Sequence, residues 1–326
     1  YLNININEYF LIKNISTDTR SIKKDSLFIA IKGDRFNGND YVEEAFKKGA
    51  ILALVDDVRF ANQKNNRIIY VRNTIQALAK MSKNIINNYN GKVIAITGSN
   101  GKTTTTNIIA STLESSSSTL ANFNNEIGLP LSIFNSSQKS NYLVYEIGAS
   151  KFNDINYLSK ILKPDIGVIT NIGLSHLESL KNKQGVLKVK SEIINNIKKD
   201  GFLIVPNDNE KYINFWKNLR SDINMLTFGL ESSSDFYPSE INLKINGVDF
   251  WVESKYLDKK IKIKSKLEGN HNIVNILSSC AVHYSLKKNI NEITKNIKSV
   301  LFHNSRSSKI KWIKGSILID DTYNAN

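Results

Sequence analysis

The segment at residues 97–105, with the sequence TGSNGKTTT, constrains the fold more than any other part of the chain. It follows an apolar run at 93–96 and precedes a segment at 106–110 that can form a helix. A strand, a glycine loop and a helix in this order form a phosphate cradle. Glycine lets backbone N–H groups approach phosphate oxygens, and the helix N-terminus carries about half a positive charge. The segment therefore predicts binding of a nucleoside triphosphate.

Two side chains of this loop have the positions that phosphate chemistry needs. Lys102 would reach the β- and γ-phosphates, and the Thr103 hydroxyl would hold Mg²⁺. The usual pattern asks for glycine five residues before Gly101, where this chain has Ile96, so an ordinary strand-to-helix turn with an incidental lysine is the alternative. The predicted nucleotide-binding residues of the loop are Gly98, Ser99, Asn100, Gly101, Lys102, Thr103 and Thr104.

Strand and helix patterns alternate from residue 92 onward, which predicts an α/β fold with a mostly parallel sheet flanked by helices. Because ligands bind beyond the carboxyl ends of such strands, the phosphate loop, Glu146, the loop carrying His176 and residues 207–208 should gather at one edge. The strands are predicted at 93–97, 142–147, 166–170 and 202–205.

The chain before residue 88 predicts a separate, small α/β unit, joined to the rest by a polar linker at 87–91. Its strands are predicted at 26–31, 51–55 and 68–71, and a helix at 41–49. In the later part of the chain we expect a short loop at 115–118, a strand-rich region at 241–266 with a hairpin turn at Asn246-Gly247, and a helix from 270.

Composition limits the class of protein. The net charge of +14 would suit nucleic acid, but the lysines are dispersed and no platform of interleaved aromatic residues accompanies them. We therefore expect anionic small-molecule substrates and no nucleic acid. No apolar run approaches the ~20 residues of a membrane-spanning helix, so no membrane insertion is expected. The single cysteine, Cys280, lies in an apolar run, which favours a buried thiol over a nucleophile and a reducing, cytoplasmic compartment.

Three further segments indicate which family of nucleotide-binding proteins the chain resembles. Residues 122–130 have the sequence NFNNEIGLP, residues 320–326 have DDTYNAN, and Asp18-Thr19-Arg20 is followed by DSLFIA. Together with the phosphate loop they resemble the Mur ligase family, whose members form amide bonds with ATP. The resemblance runs from about residue 15 to the last residue.

Within that family, the segments are most similar to the member that adds D-alanyl-D-alanine to UDP-N-acetylmuramoyl-tripeptide in peptidoglycan precursor synthesis. The resemblance implies that ATP converts the substrate carboxylate into an acyl phosphate, which the incoming amine attacks. It also implies two Mg²⁺ ions and a monomer. Two alternatives stay open: a sister ligase that adds the third amino acid to UDP-N-acetylmuramoyl-dipeptide, and a non-catalytic nucleotide-binding or regulatory protein.

The resemblance also assigns the catalytic and metal-binding residues. Glu146 and His176 correspond to the metal ligands of the family, and Lys190 to the lysine that the family carbamylates, which converts an ammonium into an anionic oxygen ligand. Lys188 is the nearest competitor for that role, and the spacing to Glu192 favours Lys190. The implied catalytic residues are Lys102, Glu146, His176 and Lys190, and the implied metal ligands are Thr103, Glu146, His176 and Lys190.

Substrate recognition is implied at both ends of the chain. Asn270, His271, Asn272 and Asn275 match the family's adenine-binding segment; helix capping by Asn270 is the alternative, and the two roles are compatible. Arg306 and Asp321 match residues that reach the γ-phosphate and the ribose. Asn124, Asn125 and Glu126 should line the muramyl-peptide channel. Thr19 and Arg20 should hold the uridine diphosphate, with Asn37 and Asn39 as departures from the family pattern.

Three domains are implied, of which the last is cut short. They are a UDP-substrate domain at 1–88, a central ATP-binding domain at 89–304, and a linker with the first part of a Rossmann-like domain at 305–326. We expect the working protein to continue past Asn326, because the apolar strand predicted at 315–320 has no sheet to join. The 326-residue chain should bind the UDP-linked substrate and fail to ligate it.

Overall fold

The structure is a computed structural model that describes residues 11–62, 64–175, 177–300, 308–320 and 322. Within this part the chain divides into two compact units. Unit 1 contains residues 11–90 and 119–138, and unit 2 contains residues 91–118 together with the chain from 139 onward. Unit 1 is therefore built from two separate segments, and the second of them adds to the predicted amino-terminal domain at 1–88.

The strands and helices are numbered in chain order. The strands are β1 Asn14–Ser16, β2 Ser26–Ile29, β3 Ala50–Val55, β4 Ile68–Tyr70, β5 Lys92–Thr97, β6 Ser116–Ser118, β7 Tyr142–Glu146, β8 Ile166–Ile169, β9 Phe202–Pro206, β10 Asn224–Phe228, β11 Tyr237–Lys244, β12 Gly247–Glu253, β13 Ile261–Ser265, β14 Ser308–Lys311 and β15 Ile317–Asp320. The helices are α1 Val42–Lys47, α2 Thr74–Asn87, α3 Lys102–Thr112, α4 Gly128–Asn135, α5 Asp154–Leu162, α6 Leu177–Leu180, α7 Lys183–Ser191, α8 Glu210–Lys217, α9 Asn270–Ser285 and α10 Asn291–Asn296.

Unit 1 is a parallel four-stranded sheet in the order β1-β2-β3-β4. Every residue of β2 is buried, as expected for a parallel strand covered on both faces. Leu27 and Ile29 pack with residues of α2 on one face, and Phe28 packs with Val42 and Ala45 of α1 on the other. Phe134 of α4 also packs against the first of these clusters, so the second chain segment completes the core of unit 1.

Unit 2 is organised around a parallel six-stranded sheet in the order β10-β9-β8-β5-β7-β6. β5 lies between β8 and β7, so the loops that follow these three strands meet at one edge. The four strands predicted in this region are confirmed, and each differs from its prediction by one residue at one end. The short loop predicted at 115–118 is wrong, because Ser116–Ser118 pairs with β7 as an edge strand.

Two further sheets complete unit 2. β11, β12 and β13 form an antiparallel sheet, as the strand-rich pattern predicted, but the turn residues are Ile245 and Asn246, and Gly247 begins β12. β15 pairs antiparallel with β14. The expectation that the strand at 315–320 has no sheet to join is therefore wrong, since β14 supplies its partner.

The remaining composition-based expectations concern Cys280 and membrane insertion. Cys280 in α9 is fully buried in the main core of unit 2, and burial raises the pKa of its thiol above the usual range. The prediction of a buried thiol is confirmed. Among the helices in the described ranges, none combines the length and the apolar character that crossing a bilayer requires.

Candidate active site

The phosphate loop connects β5 to α3, and its conformation depends on two glycines. Gly98 and Gly101 have φ angles of 147° and 77°, in the region that side chains other than glycine disfavour. A Cβ atom on Gly101 would lie 2.7 Å from Asn275 Oδ1, and one on Gly98 would lie 1.9 Å from Thr170 Oγ1. Both glycines are therefore required by backbone angle and by close neighbours, and the predicted strand, loop and helix order is confirmed.

The two predicted functional side chains of the loop lie at the start of α3. Lys102 Nζ donates to the backbone carbonyls of Gly98 and Ser99, at 3.0 and 3.1 Å. The Thr103 hydroxyl donates to Glu146 Oε2 at 2.7 Å. Glu146 is the last residue of β7 and is 3% exposed. The structure thus brings Glu146, from the neighbouring strand, to the hydroxyl predicted to hold Mg²⁺.

These oxygens suit a hard divalent cation. Mg²⁺ takes oxygen ligands, commonly one or two from the protein with the rest from substrate phosphates and water. A Glu carboxylate beside a Thr hydroxyl at the phosphate loop is such a pair. Within the ranges that the structure describes, no group of three His, Cys, Asp or Glu side chains comes together. His176, Arg306 and Asp321 of the predicted site lie outside those ranges.

Lys190 differs sharply from the other lysines of its helix. It lies near the end of α7 and is 1% exposed, whereas Lys188 is exposed. Burial and, to a smaller extent, the charge of Lys102 lower the pKa of the Lys190 ammonium to about 7, although the carboxylates of Asp154, Glu146 and Glu192 act in the opposite direction. A lysine with such a lowered pKa is partly in its neutral amine form near neutral pH. Burial therefore separates Lys190 from Lys188 more clearly than sequence spacing did.

Two carboxylates hold the segment that follows Glu146. Glu192 accepts backbone N–H bonds from Asn153 and Asn156, at 2.8 and 3.0 Å, and burial raises the pKa of its carboxyl. Asp154 accepts from the backbone N–H groups of Ser150 and Lys151. In the sequence, Glu192 indicates no more than the spacing that favours Lys190. The structure shows that it ties the end of α7 to the first turn of α5.

The residues predicted to bind adenine divide into two groups along α9. Asn270 and His271 are exposed at the helix start, where Gly269 is the N-cap and no side chain caps the helix, so the capping alternative for Asn270 is wrong. Asn272 and Asn275 are buried. Asn275 Oδ1 accepts from Thr105 Oγ1 at 3.3 Å, and Asn275 Nδ2 donates to Asn272 Oδ1. This second group contacts the phosphate-loop helix instead of facing solvent.

Unit 1 contains the predicted uridine-binding residues Thr19 and Arg20. The Thr19 hydroxyl donates to Glu44 Oε1 at 2.9 Å. The Arg20 side chain is 86% exposed and pairs with Asp18 at 2.6 Å; this hydrogen bond holds the pKa of Asp18 below its usual range. The departure at Asn39 has a structural explanation, since its side chain is buried and bonds to Asn37 and Asp56.

The predicted muramyl-peptide residues lie in the second segment of unit 1, before α4. Asn125 Oδ1 accepts from the backbone N–H of Gly128 at 2.8 Å and of Ile127 at 3.2 Å. It therefore satisfies donors at the start of α4, which an isolated helix end would leave unpaired. Glu126 is exposed and Asn124 is half-buried. These three residues belong to unit 1, whereas the predicted domain boundaries placed them in the central domain at 89–304.

Comparisons with known proteins point to one family. Residues 96–283 match the family description "Mur ligase middle domain", and residues 11–85 match "Mur ligase family, catalytic domain". A relative from Bacillus subtilis (strain 168), named UDP-N-acetylmuramoyl-tripeptide–D-alanyl-D-alanine ligase, is 32% identical over 98% of this chain and 68% of its own length.

Two solved structures are similar over nearly the whole chain. The first is MurF from Acinetobacter baumannii, with a TM-score of 0.88 and 28% identity over 97% of this chain and 68% of that one. The second is MurF ligase from Thermotoga maritima in complex with ADP, with a TM-score of 0.85 and 29% identity over 98% of this chain and 73% of that one.

Proposed function

Because the chain belongs to the Mur ligase family, we propose that it joins D-alanyl-D-alanine to UDP-N-acetylmuramoyl-tripeptide in a reaction driven by ATP. The Bacillus subtilis relative carries the name of this activity and aligns with 98% of the chain. The comparisons do not favour the sister ligase that adds the third amino acid. The observation that carries the proposal in the structure is the phosphate loop, with Lys102 and Thr103 beside the buried carboxylate of Glu146.

The chain's own residues account for the first chemical step. The substrate carboxylate attacks the γ-phosphate, which gives an acyl phosphate and ADP, and negative charge accumulates on the transferring group. Lys102 would turn from its loop carbonyls toward that group and neutralise part of the charge. Thr103 and Glu146 would hold Mg²⁺, which supplies electrostatic stabilisation of the same oxygens when bound.

The second step forms the amide. The amine of D-alanyl-D-alanine attacks the acyl carbon, the tetrahedral intermediate expels phosphate, and the amine loses a proton. We propose that carbamylated Lys190 and His176 contribute ligands to a second ion there. The buried Lys190 supports this role, because a pKa near 7 leaves a large fraction of neutral amine to react with CO₂. This carbamylation forms a bond between Lys190 Nζ and the carbon of CO₂ and releases one proton.

Substrate binding is proposed for both units. Thr19 and Arg20 would contact the uridine diphosphate, and the exposed Arg20 guanidinium has the geometry to bind phosphate. Asn124, Asn125 and Glu126 would contact the muramyl peptide. Asn270 and His271 would approach the adenine, since they are the exposed members of their segment. We also propose that the protein works in the cytoplasm, because the proposed reaction consumes ATP. We further propose, from the family resemblance, that it is a monomer.

Phosphate release by the complete protein, measured with and without each substrate, tests the proposal. Release should require ATP, UDP-N-acetylmuramoyl-tripeptide and D-alanyl-D-alanine together, and the ligated product should be seen by mass spectrometry. A protein that carries Lys102→Ala is the control for contaminating ATPase. Release that needs a free amino acid and the dipeptide precursor instead would identify the sister reaction. Tight ATP binding without any substrate-dependent release would favour a non-catalytic protein.

A further inference from the structure

The loop after β8 contacts the phosphate loop through side chains and backbone together. Four of its residues form a group that we call the phosphate-loop clamp: Thr170, Asn171, Gly173 and Ser175. β8 is the neighbour of β5 in the sheet, so the clamp follows the strand on one side of the phosphate loop, while Glu146 ends the strand on the other. The clamp contacts the first half of the phosphate loop, whereas Glu146 contacts its second half.

Thr170 and Asn171 hold the backbone at residues 99 and 100. The backbone carbonyl of Asn171 accepts from Ser99 N–H at 3.2 Å, and its side-chain Oδ1 accepts from Asn100 N–H at 2.9 Å. The Thr170 hydroxyl donates to the Asn100 carbonyl at 2.6 Å. Both polar backbone groups of Asn100 are therefore bonded to side chains of the clamp, which fixes the peptide plane on either side of it.

The hydroxyl of Ser99 connects the same loops a second time. Ser99 Oγ donates to the Gly173 carbonyl and accepts from Gly173 N–H and from Ser175 Oγ, each at 3.0 Å. A hydroxyl offers one donor and two acceptor positions, so all three are used. Ser99 and Ser175 are each 5% exposed. An amide or hydroxyl buried to this extent is costly to leave unpaired, so the contacts resist displacement.

We propose that Asn171 is a positioning residue for nucleotide binding, with Thr170 as its partner, and that the clamp holds residues 99 and 100 in the conformation that accepts the phosphates. The inference rests on the proposed function, because it requires that nucleotide binds at this loop. A loop that is already ordered loses less conformational entropy when the ligand binds. Loss of the Asn171 side chain therefore weakens nucleotide binding, although this side chain is not proposed to contact the phosphates.

Calorimetric titration with ADP and with ATP–Mg²⁺ tests the proposal on the folded protein. Asn171→Ala should raise the Kd for both nucleotides roughly tenfold or more. Asn289→Ala is the matched control, since Asn289 Oδ1 also accepts a backbone N–H at 2.9 Å, from Asn291, in an exposed turn. It should lower the Tm without changing either Kd by more than about twofold. A Kd for Asn171→Ala within that range would overturn the proposal.

A second pair of variants separates positioning from general loss of structure. Thr170→Val removes the hydroxyl with little change of shape, and Thr170→Ser keeps it. Nucleotide affinity should fall in the first and recover in the second, while both remain folded by circular dichroism. Equal affinity in both variants would contradict the clamp. Lys102→Ala separates a failure of the proposed nucleotide site from a failure of the clamp. If Lys102→Ala leaves nucleotide affinity intact, the proposed site is wrong. If Lys102→Ala weakens nucleotide affinity but the clamp variants bind normally, only the role of the clamp is wrong.

Discussion

The phosphate loop of unit 2 and the predicted uridine-binding residues of unit 1 differ in how their side chains are held. Ser99 is buried with every hydrogen-bonding position of its hydroxyl used. Arg20 projects into solvent and pairs with a carboxylate two residues away. A surface ion pair of this kind contributes little to stability. The difference indicates that the proposed phosphate-binding loop of unit 2 is held in place before a ligand binds, whereas Arg20, the proposed phosphate-binding cation of unit 1, is held only by an exposed ion pair.

The largest effect expected from this comparison is at Lys102. Lys102→Ala should reduce ATP turnover by at least about 10³-fold, because it removes the positive charge that is proposed to stabilise the transferring phosphate. The fold should remain, since the Lys102 ammonium donates to the carbonyls of Gly98 and Ser99 in its own loop. Substrate-dependent phosphate release and circular dichroism measure the two outcomes. If ATP turnover is unchanged in Lys102→Ala, the phosphate loop is not the ATP site.

Lys190 should show the next largest effect, and Lys188 provides its control on the same helix. Lys190→Ala should lower activity roughly 10²-fold, because it removes a proposed ligand oxygen beside the phosphate loop. Lys188→Ala changes an exposed lysine and should stay within about twofold of the original activity. A ¹³C-carbamate signal from ¹³CO₂ should be present in the original protein and in the Lys188 variant and absent from the Lys190 variant. Equal activity of the two variants would contradict the assignment.

A smaller effect is expected at Arg20 in unit 1. Arg20→Ala should raise the KM for the UDP-linked substrate about tenfold and leave kcat almost unchanged, because a charge-assisted phosphate contact is lost in the ground and transition states alike. Arg59→Ala is the matched control, since Arg59 is also exposed and ion-paired in unit 1. If the KM rises equally in both variants, the change in net charge explains the rise, and the proposed contact between Arg20 and the substrate phosphate is wrong.

The smallest effect concerns pH. His283 in α9 is buried, with Nδ1 at 2.9 Å from the Ser279 carbonyl and Nε2 at 3.3 Å from the Thr112 carbonyl. Burial lowers the pKa of His283 below its ordinary value of 6.5, so the unfolded chain binds the proton more readily. Stability is therefore greatest above pH 6.5 and decreases as the pH falls below it. A Tm measured from pH 7 to pH 5 should fall by a few degrees.

His283→Gln removes that proton-binding group and keeps hydrogen-bonding capacity. The fall in Tm between pH 7 and pH 5 should be smaller in this variant than in the original protein. Because the ionisable side chains of unit 1 described above lie in exposed pairs, they should add little to the pH dependence. A slope that is identical in both proteins would assign the acid sensitivity to other groups and would weaken the contrast between the units.

The sequence predicted the parts of the site that are local in the chain. The phosphate loop is contiguous, and its glycine, lysine and threonine spacing is sufficient to indicate strand, loop and helix. The clamp could not be predicted in the same way. Thr170, Asn171 and Ser175 are ordinary polar residues, and between 70 and 76 positions separate them from the residues that they contact. Only the pairing of β8 with β5 brings them together.

Two errors in the predicted fold have the same physical origin. Three consecutive serines have little intrinsic preference for a strand, so β6 was predicted as a loop, yet its backbone completes the edge of the sheet beside β7. The strand at β15 was predicted to have no sheet to join because most of a third domain was expected to be missing, and residues past about 305 were predicted as a linker with no strand at β14, which pairs with β15. In both cases the tertiary neighbour, and not the local sequence, determines the structure.

The division of unit 1 between two chain segments has a consequence for biogenesis. A ribosome that has finished β4 and α2 has not yet produced Phe134, which packs against the core that these elements form. β5, α3 and β6 of the other unit must be synthesised first. Domains usually fold as each emerges from the ribosome, but here the first unit stays incomplete while the second has begun. The nascent chain therefore carries a partly exposed apolar face through that interval, and a protein that ends at residue 90 would lack the Phe134 side chain that packs against this face.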